Sequence, residues 1–425
     1  MQKLIVKGKK SLSGTISISG SKNATLPILA ATILNNNKIT LTNVPMVADV
    51  FTMCNLLTSL GSRVKIRKNT NTIEIKNSKT LKTFASYQLL KTMRAGVLAL
   101  GPLLAKFKHA KISLPGGCAI GSRPVNLHLA ILKKMGAIIK IKDGYIIASA
   151  HRGLKGTTVK IPKISVGATE NILIAACYAK GKTIIKNCAC EPEVKDLTYF
   201  LVKMGCKIKW TGKRKLEIIG VKKLKSVKYK VMFDRIEAGT FAIASILTKG
   251  NIIIQNVDYK IIRTELNILR KMGAKIFCYK KKLIIKPCNV IKNINIKTGP
   301  YPGFPTDLQA QIMVLMSKAN GVSQITENIF ENRFMHVPEL NRMGADIHIK
   351  GNKAFIRGVK ELYGAELMAT DLRASVSLIL AGLIAKKNTI VNRVYHLDRG
   401  YEKLEYKLSK CGAKIKRLKN GRRQS

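Results

Sequence analysis

One phrase occurs six times along this chain: Leu-x-x-x-Gly, followed at once by a short alternating strand pattern. Its glycines are Gly61, Gly136, Gly205, Gly273, Gly344 and Gly412, spaced by 75, 69, 68, 71 and 68 residues. A unit of roughly 70 residues has been copied, and a repeat at fixed spacing constrains a fold more than any local motif. Each glycine ends an amphipathic helical pattern and precedes a strand, where a chain needs the left-handed backbone that glycine adopts without steric penalty.

Each copy also holds a second helical segment, nearly all apolar and rich in small residues: 25–34, 94–105, 167–179, 238–248, 308–317 and 373–385. A helix apolar on every side is buried on every side. A strand follows each one, at 38–41, 111–114, 183–185, 251–254, 323–326 and 389–391. The pattern predicts an α/β protein with apolar helices inside and sheets plus amphipathic helices outside. Residues 4–19 read like the segment 151–165, a hairpin leading into an apolar helix, and are expected to pair with the C-terminal half. Six units divide as three plus three. The expected domains are residues 22–229, and residues 1–21 with 230–418, leaving 419–425 as a basic tail; short crossings in place of long linkers predict a hinge between them.

The 425 residues carry 76 Lys and Arg against 23 Asp and Glu, a formal charge of +53. A nucleic-acid surface would cluster that charge and interleave aromatic residues. Here lysines occur in every repeat and aromatics are only 6%, so the charge reads as a compositional bias that still attracts acidic small molecules. The nine cysteines show no metal-ligand spacing, and neither a metal nor a cofactor is expected. Most thiols read as small core residues in a reduced, cytoplasmic setting. The first ten residues hold no long apolar stretch, so no secretory leader is expected, and no apolar run is long enough for a membrane span.

Polar residues gather at helix starts. Lys22 with Asn23, Arg94, Ser165-Val166-Gly167, Arg235 with Glu237, Asp307, and Asp371 with Arg373 open the apolar helices. Cys118 with Arg123, Glu191 with Glu193, Arg333, and Asp398 with Arg399 precede the amphipathic ones. Helix N-termini favour anions, each by about 0.3–1 kcal/mol when exposed. If the units share one geometry, these starts face a gap between the domains, and the arginines there suit phosphates or carboxylates. Three glycines within Pro115-Gly-Gly-Cys-Ala-Ile-Gly-Ser-Arg-Pro124 make a loop that can approach a ligand closely. Cys118 in that loop, near an arginine and a helix start, is expected to be a reactive thiol of lowered pKa.

These residues resemble a known family, the enolpyruvyl transferases that act on UDP-N-acetylglucosamine, within the EPSP synthase superfamily. The resemblance spans the whole chain and rests on eight motifs in order: Gly20-Ser-Lys-Asn23, Met93-Arg-Ala95, the 115–124 loop, Ser165-Val-Gly-Ala-Thr169, Gly303-Phe-Pro-Thr-Asp307, Asn332-Arg-Phe-Met-His336, Asp371-Leu-Arg373 and Asp398-Arg-Gly-Tyr401. It implies a two-domain inside-out α/β barrel, three repeats per domain. It also implies transfer of enolpyruvyl from phosphoenolpyruvate to the sugar 3-hydroxyl of UDP-N-acetylglucosamine by addition and elimination.

By that resemblance, Lys22, Arg123 and Arg399 hold phosphoenolpyruvate, with Asn23 and Arg94 nearby. Cys118 donates a proton to the methylene carbon, and Asp307 takes the sugar hydroxyl proton. The sugar nucleotide falls to Asn23, Arg94, Arg123, Pro124, Val125, Asn126, Leu127, Lys163, Ser165, Val166, Gly167, Asp307 and Ile329, with Arg333, Asp371 and Arg373 in support. Two residues depart from the family pattern. Asn126 replaces an aspartate, and Gly96 replaces a serine. The partners implied are these two small molecules. Shikimate-phosphate chemistry on the same plan is the nearest alternative, but the Pro-Gly-Gly-Cys loop has no counterpart there. A charge-driven nucleic-acid binder and a paralogue that binds sugar nucleotide without turnover are the others. Retention of the lysine, cysteine, aspartate and arginines speaks against the last.

Overall fold

The computed structural model describes residues 2–91, 93–114 and 125–418. They form two compact units: residues 20–114 with 125–232 (the first), and residues 2–19 with 233–418 (the second). The buried helices of the first unit are Lys22–Ala31, Leu100–Phe107 entered through a 3-10 segment Arg94–Ala99, and Val166–Ala176. Those of the second are Arg235–Leu247, Gln309–Met316 and Leu372–Ile384. Every residue of Arg235–Leu247 and of Gln309–Met316 is buried, as their mostly apolar and small-residue composition favours; the charged Arg235 and Glu237 are buried beside ionic partners, Glu265 at 3.0 Å and Lys407 at 2.6 Å. Within each unit the buried helices pack on one another and form the centre of its own core.

Side chains of Ser21, Ser165, Asp234 and Asp371 cap four of these helices, each accepting from backbone N–H groups of the first turn. Such a cap stabilises by about 1 kcal/mol and fixes where the helix begins. Pro102 falls in the first turn of Leu100–Phe107, where an N–H has no intrahelical acceptor, so the proline costs that helix no hydrogen bond.

Six amphipathic helices lie outside: Ala48–Ser59, Asn126–Lys134, Pro192–Lys203, Arg263–Lys271, Val337–Arg342 and Leu404–Lys410. Each is followed by its repeat glycine, and all six glycines have φ between +88° and +105°. The recurrent sequence phrase is therefore a recurrent left-handed turn from helix into strand.

Each repeat has one four-stranded sheet. An edge strand runs parallel to the strand that follows the buried helix, and an antiparallel hairpin completes the sheet. In the second repeat these strands are Phe84–Ala85, His109–Ser113, Tyr145–Ser149 and Ile138–Lys142. Lys140, Lys142, Lys207, Lys209, Lys275 and Lys286 all lie exposed on strands, which are solvated faces of the kind a compositional bias produces.

The second unit closes with the N-terminal strand. Lys3–Lys7 supplies the missing half of the sixth hairpin, antiparallel to Lys414–Leu418 with Lys3 opposite Leu418. In the first unit Val227–Lys230 closes the ring by pairing parallel to Ile39–Thr42. The hairpin expected over residues 4–19 does not form. Lys3–Lys7 and Ser13–Ser17 enter different sheets, and Ser13–Ser17 pairs parallel to Asn251–Val257. Segment 151–165 likewise gives one strand, Thr158–Lys160. Both segments alternate in polarity, but no strand pairs within its own segment: Thr158–Lys160 runs parallel to Lys182–Lys186, beyond the intervening buried helix, and the two N-terminal strands join residues more than 230 positions away.

Candidate active site

In the first unit, Ser21 ends the preceding strand region and caps the helix that opens with Lys22 and Asn23. Lys22 is nearly buried, and its Nζ lies 3.3 Å from Oδ2 of the buried Asp49, in the first turn of Ala48–Ser59. That carboxylate holds the ammonium at the helix N-terminus, which suits an anion that both would attract. Arg94 opens the 3-10 segment and is half-buried.

Ser165 caps Val166–Ala176, with Val166 exposed and Gly167 half-buried at its first turn. Lys163 is exposed just ahead, Val125 is buried, Asn126 is exposed at the start of its helix, and Leu127 is half-buried. His128 follows directly. Its Nδ1 lies 3.0 Å from Nδ2 of Asn171, whose Nδ2 also donates to the Val97 carbonyl while its Oδ1 accepts from Gly101 N–H. An amide nitrogen can only donate, so Nδ1 accepts and the ring proton sits on Nε2. Burial and then the Arg94 charge hold the His128 pKa down to about 4, so the ring is neutral. A Cβ on Gly167 would lie 3.2 Å from Cε1 and 3.4 Å from Nε2 of that ring, so a side chain there crowds the ring and must be met by a shift of a few tenths of an ångström.

In the second unit the carboxylate of Asp307 is gripped from both sides. Nη2 of Arg333 stands 2.9 Å from Oδ1, and Nη2 of Arg373 stands 2.8 Å from Oδ2. The arginine side chains are 3% and 7% exposed, whereas Asp307 is 27% exposed, so the accessible group of the trio is the carboxylate. The Arg373 pKa is lowered by burial but raised beyond that by the Asp307 charge, and the net shift is upward. Asp371 accepts from the N–H groups of Arg373 and Ala374, so its part is to cap the helix that carries Arg373.

Glu327 joins Asp307 to Ile329. Its Oε1 accepts from Thr298 Oγ1 and from the N–H groups of Ile329 and Phe330, and its Oε2 accepts from Thr306 Oγ1. Arg399 ends a 3-10 segment, Val394–Arg399, whose Asp398 is bound in parallel by both terminal nitrogens of Arg417, at 2.9 and 2.8 Å.

Cys118, Arg123 and Pro124 lie outside the described residues. Of the other eight cysteines, seven are buried and Cys278 is half-buried. Burial pushes the thiols of Cys54 and Cys188 up to about 12 and raises Cys177, Cys190 and Cys411 as well, so these five are inert. Among the described residues no cluster of three or more His, Cys, Asp or Glu could hold a metal, and no helix is long and apolar enough to cross a membrane. The structure thus brings Lys22 to Asp49, His128 to Gly167, and Asp307 to Arg333 and Arg373. Asp49, His128, Asn171 and Glu327 escape sequence reasoning because each acts through a partner at least 21 positions away or through backbone groups.

Residues 6–408 match the EPSP synthase (3-phosphoshikimate 1-carboxyvinyltransferase) family. Two solved structures share the fold over 98% of this chain. They are the enolpyruvyl transferase NikO from Streptomyces tendae (TM-score 0.89, 22% identity, 99% of that chain) and an EPSP synthase from Acinetobacter baumannii (TM-score 0.77, 19% identity, 100% of that chain). Two UDP-N-acetylglucosamine 1-carboxyvinyltransferases are much nearer in sequence. One from Pelagibacter ubique is 62% identical and one from Rickettsia prowazekii 53% identical, each over 98% of this chain and 100% of the relative. Sequence identity of that extent, on an EPSP synthase-like fold of six repeats, places the chain in the UDP-N-acetylglucosamine 1-carboxyvinyltransferase family.

Proposed function

We propose that the protein transfers the enolpyruvyl group of phosphoenolpyruvate to the 3-hydroxyl of UDP-N-acetylglucosamine and releases phosphate, the first committed step of peptidoglycan synthesis, in the cytoplasm. The observation that carries this reading is the 62% identity, end to end, with a relative bearing that activity in its name.

The sugar oxygen adds to C2 of phosphoenolpyruvate while a proton is delivered to C3, giving a tetrahedral phosphate adduct. Breaking the C2–O bond to phosphate and removing a proton from the new methyl group restores the double bond. Addition needs a base at the hydroxyl and a donor at the methylene. Asp307 is the base in this reading, supported by its exposed carboxylate edge between two buried guanidiniums. Cys118 is the donor, on family resemblance and on the inertness of the five buried thiols. Lys22, Arg123 and Arg399 hold phosphoenolpyruvate, with Asn23 and Arg94 beside them. Val125, Asn126, Leu127, Lys163, Ser165, Val166, Gly167 and Ile329 belong to the sugar nucleotide, together with Asn23, Arg94, Arg123, Pro124 and Asp307.

Purified protein with phosphoenolpyruvate should release inorganic phosphate when UDP-N-acetylglucosamine is added and not when shikimate 3-phosphate is added. Release with shikimate 3-phosphate alone would assign it instead to the other branch of the family.

A further inference from the structure

Tyr401 is 3% exposed, and its hydroxyl is the point where the three buried helices of the second unit meet. Thr240 Oγ1, from Arg235–Leu247, lies 2.8 Å away; Gln311 Nε2, from Gln309–Met316, and Arg373 Nη1, from Leu372–Ile384, lie 3.2 Å away. Each helix comes from a different repeat.

Along Thr240, Tyr401 and Arg373 the protons have one consistent arrangement. Thr240 Oγ1 donates to the Ile236 carbonyl, so it can only accept from Tyr401. Arg373 carries only N–H groups, so it donates to the phenol oxygen; the two N–H bonds of Gln311 Nε2 are shared among three acceptors, the Tyr401 and Thr240 hydroxyls at 3.2 Å each and the Asp307 carbonyl at 3.0 Å. The Tyr401 proton is committed to Thr240, and its lone pairs are turned toward the other two. Burial raises the Tyr401 pKa, which keeps the phenol neutral and this arrangement intact. Arg373 thus has one terminal nitrogen on Tyr401 and the other on Asp307, at 2.8 Å. Gln311 adds a second tie, donating to the Asp307 carbonyl at 3.0 Å.

We propose that Tyr401 is a positioning residue for the reaction: its hydroxyl fixes the guanidinium of Arg373 and, through it, the carboxylate of Asp307. The proposal rests on the reading of Asp307 as the base. A planar guanidinium anchored at one nitrogen presents the other in a fixed direction, whereas one anchored only at the carboxylate can swing with it. Displacements of that kind cost turnover more than binding.

Tyr401→Phe tests this, because it deletes one oxygen and keeps the ring that packs on Arg373 at 5.6 Å. The expected result is a fall in kcat of about tenfold, with the Kd for sugar nucleotide held within about twofold and the thermal midpoint near that of the parent. Unchanged kcat, or a loss that only follows the fraction folded, overturns the proposal. Thr240→Val, which releases the phenol proton without touching Arg373, should give a smaller fall in kcat, and it supplies the same reading if the first variant does not fold. Unchanged kcat there would overturn the proposal equally. Asp307→Asn, assayed alongside, separates the two claims: full turnover in that variant strikes the base assignment itself, whereas its loss beside a fully active Tyr401→Phe strikes only the role of Tyr401.

Discussion

Nη2 of Arg373 stands 2.8 Å from Oδ2 of Asp307, although the two residues are 66 positions apart and open helices in different repeats. With Arg333 on the other oxygen, the carboxylate is fixed in place while its edge stays open to solvent. Asp307→Asn should therefore lower kcat by roughly 100-fold or more, with the Kd for UDP-N-acetylglucosamine changed only slightly. Calorimetric titration with the sugar nucleotide and steady-state turnover check this pair of values. Loss confined to affinity would contradict the role of base.

Gly167→Ala places a methyl group 3.2 Å from Cε1 of a buried histidine ring that Asn171 holds on its other side. Neither neighbour has much room to move, so the helix start must shift by a few tenths of an ångström. The expected outcome is a several-fold rise in KM for the sugar nucleotide and a loss of about 1 kcal/mol in stability. Kinetics at saturating phosphoenolpyruvate and urea unfolding measure the two; an unchanged KM would remove this backbone from the nucleotide site.

Much of this architecture can be read from the residues. The six glycines at positive φ and the buried helices follow from local pattern, because burial and left-handed turns act on residues close in sequence, and the joining of the N-terminal segment to the C-terminal half follows from the repeat. Which sheet of that half each strand enters does not follow. Ser13–Ser17 looks like half of a local hairpin yet adds to Asn251–Val257, since an edge strand carries no sequence mark of which distant strand it joins. The site divides the same way. Lys22, Asp307 and Arg373 stand out as charges at helix starts, whereas Asp49 and Glu327 are known only by what they hold.

Arg417 sits on the last described strand and takes no part in the family motifs, yet it grips Asp398, Glu405 and Gln2. The neighbouring carboxylates raise its pKa despite a lowering by burial. Because Asp398 adjoins Arg399, Arg417→Ala should raise KM for phosphoenolpyruvate several-fold and lower stability by about 1 kcal/mol. Arg417→Lys, which cannot bind a carboxylate through two parallel bonds, should fall between the two. Parent-like KM in Arg417→Ala would show that the 3-10 segment holds Arg399 unaided.

The fold keeps His128 neutral, with its pKa held down to about 4 by burial and then by Arg94, against an ordinary value of 6.5. An unfolded chain binds a proton there that the folded chain refuses. The contribution is therefore fully present above pH 6.5 and lost as pH falls toward about 4. The difference in unfolding free energy between the protein and His128→Gln should shrink by up to about 3 kcal/mol across that window. His336, also held down to about 4 by burial, is common to both and cancels. A difference independent of pH would mean that the ring titrates alike in both states.

Enolpyruvyl transfer by addition and elimination requires the methylene carbon of phosphoenolpyruvate to pass through a methyl group. Proton NMR of the product formed from both substrates in deuterated water tests it most directly. The expected product is a vinyl ether on the amino sugar with deuterium in its methylene, because the methylene carbon gains and then loses a proton. Recovery of UDP-N-acetylglucosamine unchanged, or a vinyl ether free of deuterium, would contradict it.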